Sequence, residues 1–66
     1  DGEPYYNLGW SLKMQGKYDD AYSAYYKATW NAAWRDAGYF GVAQIDCIRE
    51  NWTAALEHID LALIHN

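Results

Sequence analysis

An internal register of 34 residues is the feature that most constrains what this chain can fold into. When the 66-residue sequence is laid against itself at that offset, three pairs of positions are identical: Tyr5 and Tyr39, Ala21 and Ala55, and Ala28 and Ala62. Further pairs match in side-chain size: Tyr6 and Phe40, Leu8 and Val42, Gly9 and Ala43, Met14 and Ile48, Tyr18 and Trp52, Tyr22 and Leu56, and Tyr25 and Ile59. Leu12, which falls on Asp46, is the exception. Because close packing depends on the sizes of facing side chains, the match predicts two units that pack alike.

Each unit reads as two amphipathic helices joined by a short connection. Apolar residues recur at intervals of three and four, which is the pattern of a helix with one buried face. The pattern predicts an all-α fold of two antiparallel helical hairpins, with helices near residues 4–15, 19–31, 36–49 and 53–65. Asp19 or Asp20 is expected to cap the second helix, and Thr53 the fourth. Gly9 lies inside the first helical pattern and therefore needs a packing reason.

Helical hairpins with a 34-residue period resemble the tetratricopeptide repeat family. The residues of the first unit that carry the resemblance are Tyr5, Leu8 and Gly9 in its first helix, Gly16-Lys17-Tyr18 in the turn, and Ala21, Tyr25 and Ala28 in its second helix. The second unit departs from the family pattern at Asp46, where the family has a large apolar residue, and at Glu50, which replaces the turn glycine. Ala33 stands where the family usually has a proline between units.

The resemblance implies one domain over residues 1–66, with units at about 2–35 and 36–66 that stack as a right-handed solenoid. A second resemblance covers the segment from Gly9 to Gly38. It is similar to the repeat region of large bacterial proteins in which a repeat array follows a β-rich, sugar-related domain. This second resemblance implies that the chain is a piece of a longer protein.

Composition excludes several classes of function. A formal net charge of −4 and a pI near 4.7 are unsuited to electrostatic binding of nucleic acid or of an anionic membrane. No run of about 18 apolar residues is present, so no membrane span is predicted. The single cysteine, Cys47, allows neither an internal disulfide nor a multi-cysteine zinc site. No secretory leader opens the sequence, which leaves the compartment unknown and favours the cytoplasm if nothing precedes residue 1.

No catalytic residue, metal site or cofactor is predicted, and the chain is expected not to be an enzyme. His58 and His65 lie seven residues apart on one helix face, about 10.5 Å from each other, which is too far for a shared metal ion. We therefore interpret His58 as part of a solvated helix face. Cys47 is interpreted as a partly buried side chain that acts as a small apolar residue.

Asp46 is the one charged residue on an otherwise apolar stripe. Because the burial of an unpaired carboxylate is costly, Asp46 is expected to have a nearby partner or to be locally exposed. A tyrosine hydroxyl or a tryptophan N–H could be that partner. A contact with a ligand is the alternative interpretation.

The family resemblance also implies a binding surface, because tetratricopeptide repeats line their concave face with the first helix of each unit. The candidate partner-binding residues are Tyr6, Trp10, Lys13, Met14, Phe40 and Gln44. The family's clamp for a C-terminal carboxylate is absent, since Tyr6 and Trp10 stand at its first-unit positions. Trp30 and Trp34, near the turn between units, either cover the junction or form an exposed aromatic patch.

Three functions remain open. The first is a non-enzymatic protein-protein interaction or scaffold module that binds a peptide or a partner subunit in an aromatic groove. The second is a structural repeat fragment that stacks on further repeats or forms a homo-oligomer through its last helix, where Leu56, Leu61 and Leu63 spread beyond one stripe. The third is a carbohydrate-binding accessory region of a larger enzyme. No nucleic acid, membrane or cofactor is expected as a partner.

Overall fold

The computed structural model describes residues 3–64, and the side chains of residues 4–64. This part of the chain forms four α-helices and contains no strand: α1 (Glu3–Met14), α2 (Tyr18–Ala28), α3 (Arg35–Ile48) and α4 (Trp52–Leu63). The all-α prediction is therefore confirmed. None of these helices is both long and apolar enough to cross a membrane.

The second helix ends three residues before its predicted end, at Ala28. The backbone N–H groups of Thr29, Trp30 and Asn31 bond to carbonyls three residues back instead of four, which tightens the last turn and ends the helix. The Thr29 hydroxyl also donates to the Tyr26 carbonyl at 2.6 Å. Trp30 and Trp34 consequently do not lie on one continuous helix.

The turns inside the two hairpins have the same hydrogen bonds 34 residues apart. Lys17 N–H donates to the Leu12 carbonyl at 2.9 Å, and Asn51 N–H donates to the Asp46 carbonyl at 2.8 Å. Each bond closes a Schellman motif, in which the chain passes through the left-handed region just after the helix. Gly16 adopts that conformation with φ 76°, and the corresponding residue Glu50 adopts it with φ 59°. The replacement of the turn glycine has therefore not changed the shape of the turn.

The predicted helix caps are wrong. The N-cap residues of α2 and α4 are Lys17 and Asn51, and neither makes a side-chain cap bond. The reason is that each helix begins two residues after its left-handed residue, so Asp19, Asp20 and Thr53 already lie within the first turn. There the two aspartates still interact favourably with the positive end of the α2 dipole.

Tyr25 is the centre of the core and is fully buried. Glycines on two different helices approach its ring: a Cβ added at Gly9 of α1 would lie 2.8 Å from a ring carbon, and one added at Gly41 of α3 would lie 2.3 Å away. Both distances are shorter than any real van der Waals contact, so Tyr25 requires glycine on each side. This contact is the packing reason for a glycine inside α1.

The hairpins join through α3. Helix α1 packs on α2 and α3 packs on α4, and α3 also contacts both α1 and α2. Val42 and Ile45 of α3 complete the buried cluster around Ala21 and Tyr25 of α2. As a result, one face of α2 is covered by α3.

Candidate functional site

A groove opens on the surface beside α1 and α3, with a volume of about 570 Å³. We call it the α1–α3 groove, and its lining residues are Lys13, Met14, Tyr18, Phe40, Ala43, Gln44, Cys47, Ile48 and Ile59. Most of this wall is apolar, and the side chain of Met14 is 66% exposed. An exposed apolar concavity of this kind is typical of a binding surface.

Lys13 and Gln44 form the polar edge of the groove and link its two main helices. Lys13 Nζ donates to Gln44 Oε1 at 2.7 Å, across a separation of 31 residues along the chain. Among the side chains of residues 4–64, no carboxylate forms an ion pair with Lys13. One cation therefore lies at the edge of an apolar groove without a negative partner from the described part of the chain.

The structure brings together four of the six residues that the sequence analysis selected. Lys13, Met14, Phe40 and Gln44 all line the α1–α3 groove. Trp10 is about half exposed and lies four residues before Met14, so it extends the same face of α1.

Tyr6, the sixth of these residues, is engaged in the interior. Its ring centroid lies 5.5 Å from that of Tyr25 and 5.4 Å from that of Trp34. Trp34 is consequently half-buried, whereas Trp30 is 78% exposed. The two tryptophans occupy different environments.

Five of the nine lining residues are not among the six that the sequence analysis selected: Tyr18, Ala43, Cys47, Ile48 and Ile59. Tyr18 and Ile59 belong to the second helix of their hairpins, and Ala43 is too small to stand out as a contact residue. Cys47 also lines the groove and is exposed, so its interpretation as a partly buried residue is wrong. It lies on the outer side of α3, one residue beyond the buried Asp46.

A second polar feature is a buried hydrogen-bonded chain that joins the two hairpins. Asp46 Oδ2 lies 2.6 Å from His58 Nδ1, and His58 Nε2 lies 2.8 Å from the Tyr26 hydroxyl. A carboxylate can only accept a hydrogen bond. Nδ1 of His58 therefore carries a hydrogen and donates the hydrogen bond to Asp46. In the neutral ring, Nε2 then accepts a hydrogen bond from Tyr26. We call these three residues the junction triad.

The aromatic rings around the triad keep it away from water. Tyr39 stacks on His58 with ring centroids 6.1 Å apart, and Tyr22 contacts the same imidazole edge-on at 6.2 Å. Burial, together with the nearby charge of Asp46, raises the pKa of Tyr22 to about 12. Burial also raises the pKa of Tyr26.

The interpretation of His58 as part of a solvated face is therefore wrong. His58 is 9% exposed and Asp46 is 2% exposed. The buried aspartate has a nearby partner, as expected, but the residue that lies 2.6 Å from it is a histidine. Tyr22 also interacts with the carboxylate. His65 lies outside the described residues. The sequence held two signals for the triad: Asp46 breaks the size match with Leu12, and His58 falls on Ala24.

The triad joins helices and faces no described cavity. Neither the α1–α3 groove nor the smaller cavity between α1 and α2 is lined by any of its members. Among the described side chains, those of residues 4–64, no three of His, Cys, Asp or Glu come together as a potential metal site. The arrangement fixes the position of α4 on α2 and α3 through satisfied buried hydrogen bonds.

No family model matches the chain, and no curated protein or solved structure is significantly similar to it. The function is consequently proposed from the geometry of this chain alone.

Proposed function

We propose that this chain is a non-enzymatic protein-protein interaction module that binds an apolar peptide segment of a partner in the α1–α3 groove. The observation that carries the proposal is the groove itself, about 570 Å³ in volume, with an exposed apolar lining and one cation without a carboxylate partner in the described chain. Burial of a few apolar anchors supplies most of the affinity in contacts of this type.

The charge at the edge of the groove indicates the chemistry of the peptide. The chain carries a formal net charge of −4, yet the groove presents the ammonium group of Lys13. A peptide with an aspartate or glutamate beside its apolar residues would pair with Lys13 while its apolar side chains contact Met14 and Phe40. Trp10 would contact the part of the peptide that runs beyond Met14 along α1.

The two hairpins of this module are proposed to be stacked as a right-handed solenoid of the tetratricopeptide type. The identical turns at Gly16 and Glu50 support two equivalent units. The contacts of α3 with both α1 and α2 support a stacked arrangement. In such a stack the first helices of the units lie side by side, which is where the groove is.

The test uses a random-peptide display library as its probe. Enriched peptides are expected to combine apolar residues with Asp or Glu, and to bind the purified chain when measured by fluorescence anisotropy. Met14→Glu, which puts a negative charge in the groove, should weaken binding at least tenfold, or about 1.4 kcal/mol. Lys13→Ala should weaken the acidic peptides selectively.

Leu56→Glu on α4 is the matched control, because Leu56 is exposed but lies outside the groove. It should bind the selected peptides as the wild-type chain does. Peptides that bind Met14→Glu and the wild-type chain equally would show that the groove is not the binding site.

A further inference from the structure

Helix α4 carries an apolar stripe that is exposed at three of its four residues, with Ile59 half-buried. Trp52, Leu56, Ile59 and Leu63 recur at intervals of four, three and four, so they share one face. Leu56 is 64% exposed and Leu63 is 59% exposed. Contiguous apolar surface of this kind is unusual on a protein that has no partner for it.

The first hairpin shows what covers this face, because α4 is the equivalent of α2 in the 34-residue register. The corresponding residues of α2 are Tyr18, Tyr22, Tyr25 and Thr29. Of these, Tyr25 is fully buried and Thr29 is 9% exposed, and both contact glycines of α3. The same face is therefore covered on α2 and bare on α4.

The residues of α1 make it a suitable cover for α4. In the same register α1 is the equivalent of α3, and its apolar residues Tyr5 and Leu8 are themselves 40% and 48% exposed. They line a shallow cavity of about 300 Å³ together with residues of α2. Each copy of the chain thus carries one bare face on α4 and a different, complementary bare face on α1.

The side chains at the two junctions compensate in size. Inside the chain, the large ring of Tyr25 on α2 is matched by Gly41 on α3. At the equivalent positions between two copies, Ile59 on α4 faces Asn7 on α1. Ile59 is smaller than Tyr25 and Asn7 is larger than Gly41, so the summed size of the two side chains changes little.

A polar pair of residues inside the chain is replaced by an apolar pair between copies. Inside the chain, Tyr22 interacts with the carboxylate of Asp46. At the equivalent positions between copies, Leu56 faces Leu12, so both polar members are replaced by apolar ones. Replacement of one member alone would leave a polar group buried without a partner.

Charge is complementary at the same junction. In the 34-residue register, Asp60 of α4 corresponds to Tyr26, and His58 corresponds to Ala24. Inside the chain, Tyr26 contacts His58. Asp60 of one copy would therefore lie near Ala24 of the next, one helical turn from the ammonium group of Lys27. No ion pair is formed by Asp60 or Lys27 in the described part of the chain.

We propose that a second copy of this chain docks its α1 face on the exposed stripe of α4, in the geometry by which α3 covers α2. This contact is head-to-tail and joins two different surfaces. Each added copy presents a new bare α4, so association continues until an end is blocked. The stripe shares Ile59 with the wall of the α1–α3 groove, whereas Lys13, Met14, Phe40 and Gln44 of the groove are not among the docking residues.

The test blocks each surface separately. Leu56→Glu carries a charge on the α4 face, and Leu8→Glu carries one on the α1 face. Sedimentation equilibrium should show that the wild-type chain associates with rising concentration, and that each variant alone remains a monomer of about 7.6 kDa. An equal mixture of the two variants should form a dimer of twice that mass and nothing larger, because it retains one intact α4 face and one intact α1 face.

Met14→Glu is the control, because it alters the groove and not the docking faces, and it should associate like the wild-type chain. Circular dichroism checks that each variant remains helical; Leu63→Glu and Tyr5→Glu can replace a variant that does not fold. A monomeric wild-type chain, or a mixture that stays monomeric, would overturn the proposal. It would also be overturned if Leu56→Glu blocked association and Leu8→Glu did not, since that result indicates a symmetric contact between two α4 helices.

Discussion

Asp46 and His58 show how one pair of residues gives the second hairpin its own interior. The first hairpin has Leu12 and Ala24 at the equivalent positions, so the same architecture is built once with an apolar pair and once with a hydrogen-bonded one. A buried pair of this kind is sensitive to the loss of one member. The remaining group is then left buried without its partner.

We expect Asp46→Leu and His58→Ala each to lower the free energy of unfolding, by about 3–5 kcal/mol, because each takes a hydrogen-bond partner away from a buried polar group. The double variant reproduces the Leu12–Ala24 pair and should cost clearly less than the sum of the single changes, by about 0.5–3 kcal/mol. Urea denaturation followed by circular dichroism measures all three. Strictly additive effects would show that the two side chains do not stabilise each other.

At the scale of the element, the turns of the two hairpins differ in one residue and not in shape. Glu50 adopts φ 59°, a conformation that costs a side chain roughly 1–2 kcal/mol relative to its preferred region. Glycine at position 16 adopts φ 76° without that cost, and nothing lies within 4 Å of a Cβ added there. The strain is therefore confined to the backbone.

We expect Glu50→Gly to stabilise the chain, by about 1 kcal/mol, because glycine adopts the left-handed conformation freely. The matched change in the first hairpin, Gly16→Ala, should destabilise it by a similar amount. The midpoint of thermal unfolding reports both changes. Shifts of the same sign for the two variants would contradict the equivalence of the turns.

At the scale of the whole molecule, the tyrosine core predicts loss of stability in alkali. Burial raises the pKa of Tyr22 and of Tyr25 to about 12, from an ordinary value of 10.0. Between these values the unfolded chain releases protons that the folded chain retains. The stability that these buried tyrosines contribute is therefore complete below pH 10, and it is lost as the pH rises towards about 12.

The free energy of unfolding, measured in urea across that pH range, should fall while tyrosinate absorbance appears together with unfolding. Tyr25→Phe should reduce the pH dependence, because it removes one of the three tyrosines whose pKa burial raises. It should cost little stability at neutral pH, since the Tyr25 hydroxyl is buried without a hydrogen-bond partner in residues 3–64. An unchanged pH dependence in Tyr25→Phe would exclude this residue as a cause.

The helices could be predicted from the sequence because their signals are local. The apolar spacing is read within one helix, and each hairpin turn is recorded in the few residues around Gly16 or Glu50. The end of α2 was placed too late, because the bonds that tighten it involve Thr29 and its neighbours and leave no change in the apolar pattern. The caps were misplaced because α2 and α4 begin immediately after the turn, before the residues that were predicted to cap them.

The candidate site was predictable along one helix face and not across helices. Lys13, Met14, Phe40 and Gln44 could be selected because they share the outer face of the first helix in each unit. Tyr18 and Ile59 could not be selected, because only packing brings the second helices to the same groove.

By itself the sequence determined four helices and two similar units, since both follow from a periodicity along the chain. The face of α1 and α3 that lines the groove was expected from the family resemblance. Only the tertiary structure decided the pairing of His58 with Asp46 and with Tyr26, which lie 12 and 32 residues from it along the chain. The tertiary structure also decided which of two equivalent apolar faces is covered. The physical reason is that the partner of a side chain depends on how the helices pack. The apolar stripes of α2 and α4 have the same spacing in the sequence, and they differ only because α3 packs on α2.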